Sequence, residues 1–146
     1  MAENEKKAAD LIATLDNFFK QAPKLPSSAT DVLVKIAPWI SLIFGILGVI
    51  AGIGLLGVSP LALFGGLHAS FVVLLTGGVS IVASVLMLMA YPKLVKHEYK
   101  GWELLFWSEV VSAVSAVLSI ASGSIGGVIG VLIGFYLLFQ IKSYYK

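Results

Sequence analysis

Cysteine is absent from the 146 residues, and the ten basic residues are all lysine. The first absence excludes disulfides, thiolate metal sites and thiol redox chemistry. Charge is scarce as well. Charged residues make up 12% of the chain and hydrophobic ones 58%, with a mean hydropathy of +0.96, whereas a soluble domain carries roughly a quarter charged residues. Such a chain cannot cover itself with polar surface, so a soluble enzyme and a disordered protein are excluded. A net charge of +2 is too small a basic excess for binding to a phosphate backbone, so no nucleic-acid partner is expected. The first 35 residues also lack the continuous apolar stretch of a secretory signal peptide.

What is abundant is uncharged, apolar sequence. From residue 36 to residue 92 there is no charged residue, and a bilayer-spanning helix needs ~20 apolar positions. That run alone holds two spans and a connection. The sequence therefore predicts an all-α integral membrane protein, a four-helix bundle of two hairpins preceded by an amphipathic helix. Residues 1–35 form the helix and its linker. Residues 36–146 form the membrane domain, with spans at about 38–57, 71–91, 102–122 and 125–141. Pro38 is placed in the first turn of span one, and Pro92 just beyond span two. Residues 58–70 are read as an uncharged loop, and Ser122-Gly123-Ser124 as part of a tight turn. Trp39 and Trp102 each open an odd-numbered span, part of a faint repeat between the two hairpins. With four spans all ten lysines fall on one side, and the positive-inside rule puts both chain ends in the cytoplasm of a multi-pass protein of the cell membrane.

Residues 3–22 have a separate character. At 100° per residue Leu11, Ile12, Leu15, Phe18 and Phe19 gather on one face, with Lys6, Asp10, Asp16 and Lys20 elsewhere. Pro23 and Pro26 end the segment. This helix is expected either to lie on the cytoplasmic leaflet or to dock on a protein partner or a second subunit.

Every span carries small residues along one face. On span one these are Ser41, Gly45, Gly48 and Gly52; on span two Ser80, Ala83 and Ser84; on span three Ser108, Ser112, Ser115 and Ser119; on span four Gly123, Gly127, Gly130 and Gly134. Gly126, Gly130 and Gly134 also make a doubled GxxxG. Lipid provides no hydrophobic drive between helices, so close backbone approach must hold them together. A tightly packed bundle is the reading of these faces, with a serine-lined pathway or self-association as the alternatives.

Glu109 is the one ionisable residue well inside a span, ~10 Å beyond Trp102 at 1.5 Å per residue. A charged group there is costly and is by default a functional hypothesis. Ser84 and Ser112 complete the candidate proton or ion site. His68 and His97 fall on opposite sides of the membrane, so no metal, haem or hydrolytic set assembles, and neither an enzyme nor a cofactor is expected. The leading expectation is a non-enzymatic structural or interaction component. Its partners would be the bilayer, a second copy, or a membrane or cytoplasmic protein. The alternative is a small proton-coupled transporter or channel using Glu109.

Overall fold

The computed structural model describes residues 1–120 and 125–146, without the side chains of Ala2, Leu118 and Ser119. Helices occupy 88% of it, with no strands among the described residues. Five α-helices follow one another: α1 (Ala2–Phe19), α2 (Ser27–Val58), α3 (Leu67–Val95), α4 (Tyr99–Ile120) and α5 (Gly126–Ile141). Ser27–Val58, Leu67–Val95 and Gly126–Tyr144 are long and apolar enough to cross a membrane, and this length and composition point to a membrane protein.

Two prolines do not act as the sequence suggests. Pro38 was expected to start a helix, but α2 begins eleven residues earlier, after Pro26, whose carbonyl accepts the amides of Ala29 and Thr30 at 3.0 Å. The reason is packing. Thr30, Val34, Pro38, Ser41 and Gly45 are all buried, at helical spacing. A single inward face therefore runs straight through Pro38, and its burial outweighs the hydrogen bond lost to the carbonyl of Val34. Pro92 is likewise inside α3, because Leu94 beyond it is fully buried in the core. The expected loop from 58 to 70 shortens to a 3-10 turn, Leu61–Gly65, and Gly66, whose φ of 97° only glycine adopts without strain. α3 therefore starts at Leu67, four residues before the expected position.

α3 ends in a Schellman turn. The amide of His97 donates to Leu94 at 3.0 Å and that of Glu98 to Lys93 at 3.0 Å, with His97 itself at φ 56°. The C-terminal tail closes over this turn through a two-way backbone pair. The Tyr99 amide donates to the Lys146 carbonyl at 2.9 Å, and the Lys146 amide to the His97 carbonyl at 3.1 Å.

Helices α2 to α5 pack in chain order, α2 on α3, α3 on α4 and α4 on α5, while α2 and α5 meet at only a few positions. The core lies at the end of the array that carries the lysines. There Ala90, Leu94, Trp102 and Phe106 are wholly buried and Phe135, Leu138 and Ile141 nearly so. Toward the uncharged end the outward faces show Ile43, Ile50, Leu61 and Phe64. An apolar exterior of this kind needs no covering where the surroundings are hydrocarbon.

Candidate functional site

The open seam between α2 and α5 is a cleft of about 430 Å³. Leu33, Ala37, Ile40 and Phe44 of α2 form one wall, and Gly130, Ile133, Gly134 and Leu137 of α5 the other. α4 closes the back with Leu105, Ser108 and Glu109. The Glu109 carboxyl lies directly on Gly134, where a β-carbon would collide with Oε1. Glycine at 134 is what gives the acid its place. No described residue forms a hydrogen bond or ion pair with that carboxyl.

The other polar groups of the cleft are already engaged. Ser41 donates to the Met87 carbonyl across the α2–α3 contact. Ser108, fully buried, donates to Leu105 of its own helix at 2.8 Å. Glu109 is thus the one uncommitted polar side chain among the described residues lining the cleft.

Of the residues grouped with Glu109 from sequence, neither serine lines this cleft. Ser84 donates to the Ser80 carbonyl at 2.7 Å and fills the space above Gly48. Ser112 donates to Ser108 at 2.9 Å. The serines instead satisfy helix carbonyls one turn back, which hydroxyls in apolar surroundings do readily.

The small-residue faces divide into two kinds. Between α2 and α3 they pack closely. Ser80 donates to the Gly48 carbonyl at 3.3 Å, a β-carbon on Gly45 would sit 2.8 Å from Leu88, and one on Gly52 would sit 3.0 Å from the Gly77 carbonyl. On α5 they do not. Gly127 reaches Ala116 at an ordinary 3.5 Å, Gly130 faces open space, and Gly134 faces the acid. The expected tight packing of the α5 glycine face is therefore absent at Gly130, where the face opens into the cleft instead. Ser115 and the backbone of Ser119 lie on α4; Gly123 lies outside the described residues.

α1 is held by its own chain. Ile12 is buried, and Leu15 and Phe19 pack on the core. The Phe19 ring stacks on Phe139 at 5.4 Å. Leu11 and Phe18 of the same apolar face stay exposed, at 40% and 65%. Asp16 fastens the helix to Lys142 at 3.0 Å and also pairs with Lys20 at 3.2 Å. Burial pushes the Asp16 carboxyl up, but hydrogen bonds and attraction from Lys142 and Lys20 outweigh it and hold the group below its ordinary 3.8. The docking contribution is therefore full above pH 3.8 and drains away as pH falls through the lower folded value. Asp16→Asn should loosen α1 by about 1 kcal/mol. Amide hydrogen exchange checks this: faster exchange confined to α1 is the expected result.

Beyond α1 the linker straps the outer side of α5. The Pro23 carbonyl accepts Tyr136 at 2.6 Å and Gln140 at 3.2 Å, and the Leu25 amide donates to Gln140 at 3.4 Å. This strap ties the segment between α1 and α2 to α5. Sequence reasoning missed it, because two helix-borne polar groups give no signal until a carbonyl is brought to them. Trp102, read as the opening of a span, is in fact wholly buried. Gly101 beside it was also passed over, yet a β-carbon there would lie 2.7 Å from the Leu94 amide nitrogen.

Comparison with protein-family models, with curated proteins and with solved structures finds no match to this chain.

Proposed function

We propose that the chain is a non-enzymatic, four-span protein of the cell membrane that acts as a small proton-coupled carrier, with Glu109 as its proton site. The observation that carries this is the Glu109 carboxyl, set against Gly134 in an apolar cleft without a charged or hydrogen-bonding partner among the described residues. An unpaired carboxylate at mid-helix costs on the order of 3 kcal/mol in a bilayer. It must take up a proton or meet a cation, and alternating between the two is the elementary step of a proton-coupled carrier.

The four-span arrangement has its own support. α4 has 22 residues, a length of ~33 Å at 1.5 Å per residue, enough to cross a bilayer, and it packs between α3 and α5. The lysine-bearing segments gather at one end and the uncharged 3-10 turn lies at the other. With the lysines at one end, the positive-inside rule supports the reading that both chain ends and the α3–α4 turn are cytoplasmic.

A hydrophobic carbodiimide tests the reading, since it modifies only a protonated carboxyl that apolar reagents can reach. In proteoliposomes the wild-type chain should gain one adduct at Glu109, less of it as pH rises, and Glu109→Gln should gain none. A Glu109 that stays unmodified at mildly acid and at neutral pH would remove it from proton exchange, and the carrier reading with it.

A second reading has one observation in its favour. Phe18 and Leu11 remain exposed on the outer side of the docked α1. This supports an interaction component whose amphipathic helix touches the cytoplasmic leaflet, or another protein, by that edge.

A further inference from the structure

We infer that the cleft between α2 and α5 is a binding site for a singly charged organic cation with an apolar body, taken up from the lipid, its cationic head set against Glu109. The inference rests on the carrier reading above and names the class of solute.

Charge complementarity selects the sign. Glu109 is the one charged side chain among the described residues lining the cleft, and no lysine faces it. The hydroxyls of Ser41 and Ser108 are spent on the carbonyls of Met87 and Leu105, so the lining offers no free donor to hold an anion or a carbonyl. One carboxylate matches one positive charge. The donor set also argues against a bare metal cation, which needs about six oxygen ligands. A bulky organic cation is weakly hydrated and needs none of these ligands.

Size and shape select the body. The volume of about 430 Å³ lies in the range of sites that take small organic molecules. The α2 wall runs from Leu33 to Phe44, about 16 Å along the helix, and Glu109 has apolar side chains to either side of it. An elongated apolar tail therefore has a surface to lie on while its head stays at the acid.

The route follows from the packing. α2 and α5 touch sparsely, so the seam between them is not closed by helix packing. Gly130, exposed and with nothing within 4 Å of a β-carbon, keeps the side of the cleft open. Entry from the lipid flank meets no side chain at that position.

Protection of Glu109 from the carbodiimide tests this in phosphatidylcholine proteoliposomes, using three probes with the same tail: decyltrimethylammonium, decyl sulfate and decanol. The ammonium carries no titratable proton, so its effect reports occupancy. It should slow labelling by about tenfold when present at about ten times its dissociation constant, while decanol and decyl sulfate leave the rate nearly unchanged. Gly130→Leu, which places a side chain in the entrance, should abolish the protection. Equal protection by decanol would mean a neutral apolar occupant and overturn the inference. Equal protection in Gly130→Leu would mean a change of membrane surface charge rather than a site, and would overturn it as well. Both outcomes leave the carrier reading standing, whereas a Glu109 that never labels removes the two together.

Discussion

Trp102→Ala should lower the unfolding free energy by about 3–5 kcal/mol, the range for deleting a buried large aromatic side chain. Trp102 has no exposed surface and ties α4 to α5. Its indole N–H donates to the Leu138 carbonyl of α5 at 2.8 Å. Its ring stacks with Tyr99 at 5.4 Å and Phe106 at 5.7 Å, meets the edge of Phe139 at 5.6 Å, and lies 5.3 Å beneath the Lys142 ammonium. Alanine removes those contacts and leaves a void that close-packed neighbours fill only in part. Because Phe139 also carries Phe19, the loss should spread to α1. Equilibrium unfolding in mixed micelles, followed by circular dichroism, measures the effect. A change under about 1 kcal/mol would mean that this cluster does not hold α4 to α5. Trp102→Phe is the milder change, since it keeps one six-membered ring in place; it loses the hydrogen bond, worth about 1 kcal/mol, and leaves a smaller void than alanine.

Gly52→Leu is the second large effect, at about 1–3 kcal/mol or more. A β-carbon on Gly52 would lie 2.5 Å from Ile81 Cγ1, 3.0 Å from the Gly77 carbonyl and 3.2 Å from the Ile81 amide nitrogen. Two of these atoms are backbone and cannot rotate aside. The contact is reciprocal, because a β-carbon on Gly77 would sit 3.1 Å from the Gly52 carbonyl. A side chain at either position must push α2 and α3 apart, and in lipid no hydrophobic drive restores the pairing. Ser80 would then lose its bond to the Gly48 carbonyl, and Ser41 its bond to Met87. The control lies two residues away. Gly54 has nothing within 4 Å, so Gly54→Leu should stay within about 0.5 kcal/mol. Equal losses at both positions would mean that helix propensity, and not the approach of α2 to α3, sets the cost.

The contrast between these glycines shows where pattern reading reaches its limit. Gly45, Gly48 and Gly52 were legible as a packing face, because their spacing is helical and the neighbouring span carries small residues too. Gly127, Gly130 and Gly134 have the same spacing, yet Gly130 faces open space and Gly134 accommodates a carboxyl. Periodicity says which residues share a face and says nothing about what stands opposite. For the same reason Glu109 stands out in the sequence as the one acid well inside a span, while no signal there marks Gly134 of α5 as its neighbour. Placing it requires the helix starts and rotations, and those were shifted by Pro38, Pro92 and the early onset of α4 at Tyr99. The repeat suggested by Trp39 and Trp102 fails on burial, with Trp39 58% exposed and Trp102 fully enclosed. Like residue types at like positions met different surroundings.

The sequence by itself determined that the chain is helical and built for a membrane. Composition and the uncharged run from 36 to 92 act through solvation, a sum over residues that needs no knowledge of their arrangement. It also determined which residues share a helical face, since the 3.6-residue period is local. Tertiary structure alone decided that α2 would run through Pro38, that α1 would dock on α5, and that α2 and α5 would stand apart around Glu109. Those outcomes depend on burial and on contacts between segments far apart in the chain, such as Asp16 with Lys142 and Pro23 with Tyr136. Such contacts form only when the packing of every other helix brings both partners to the same place.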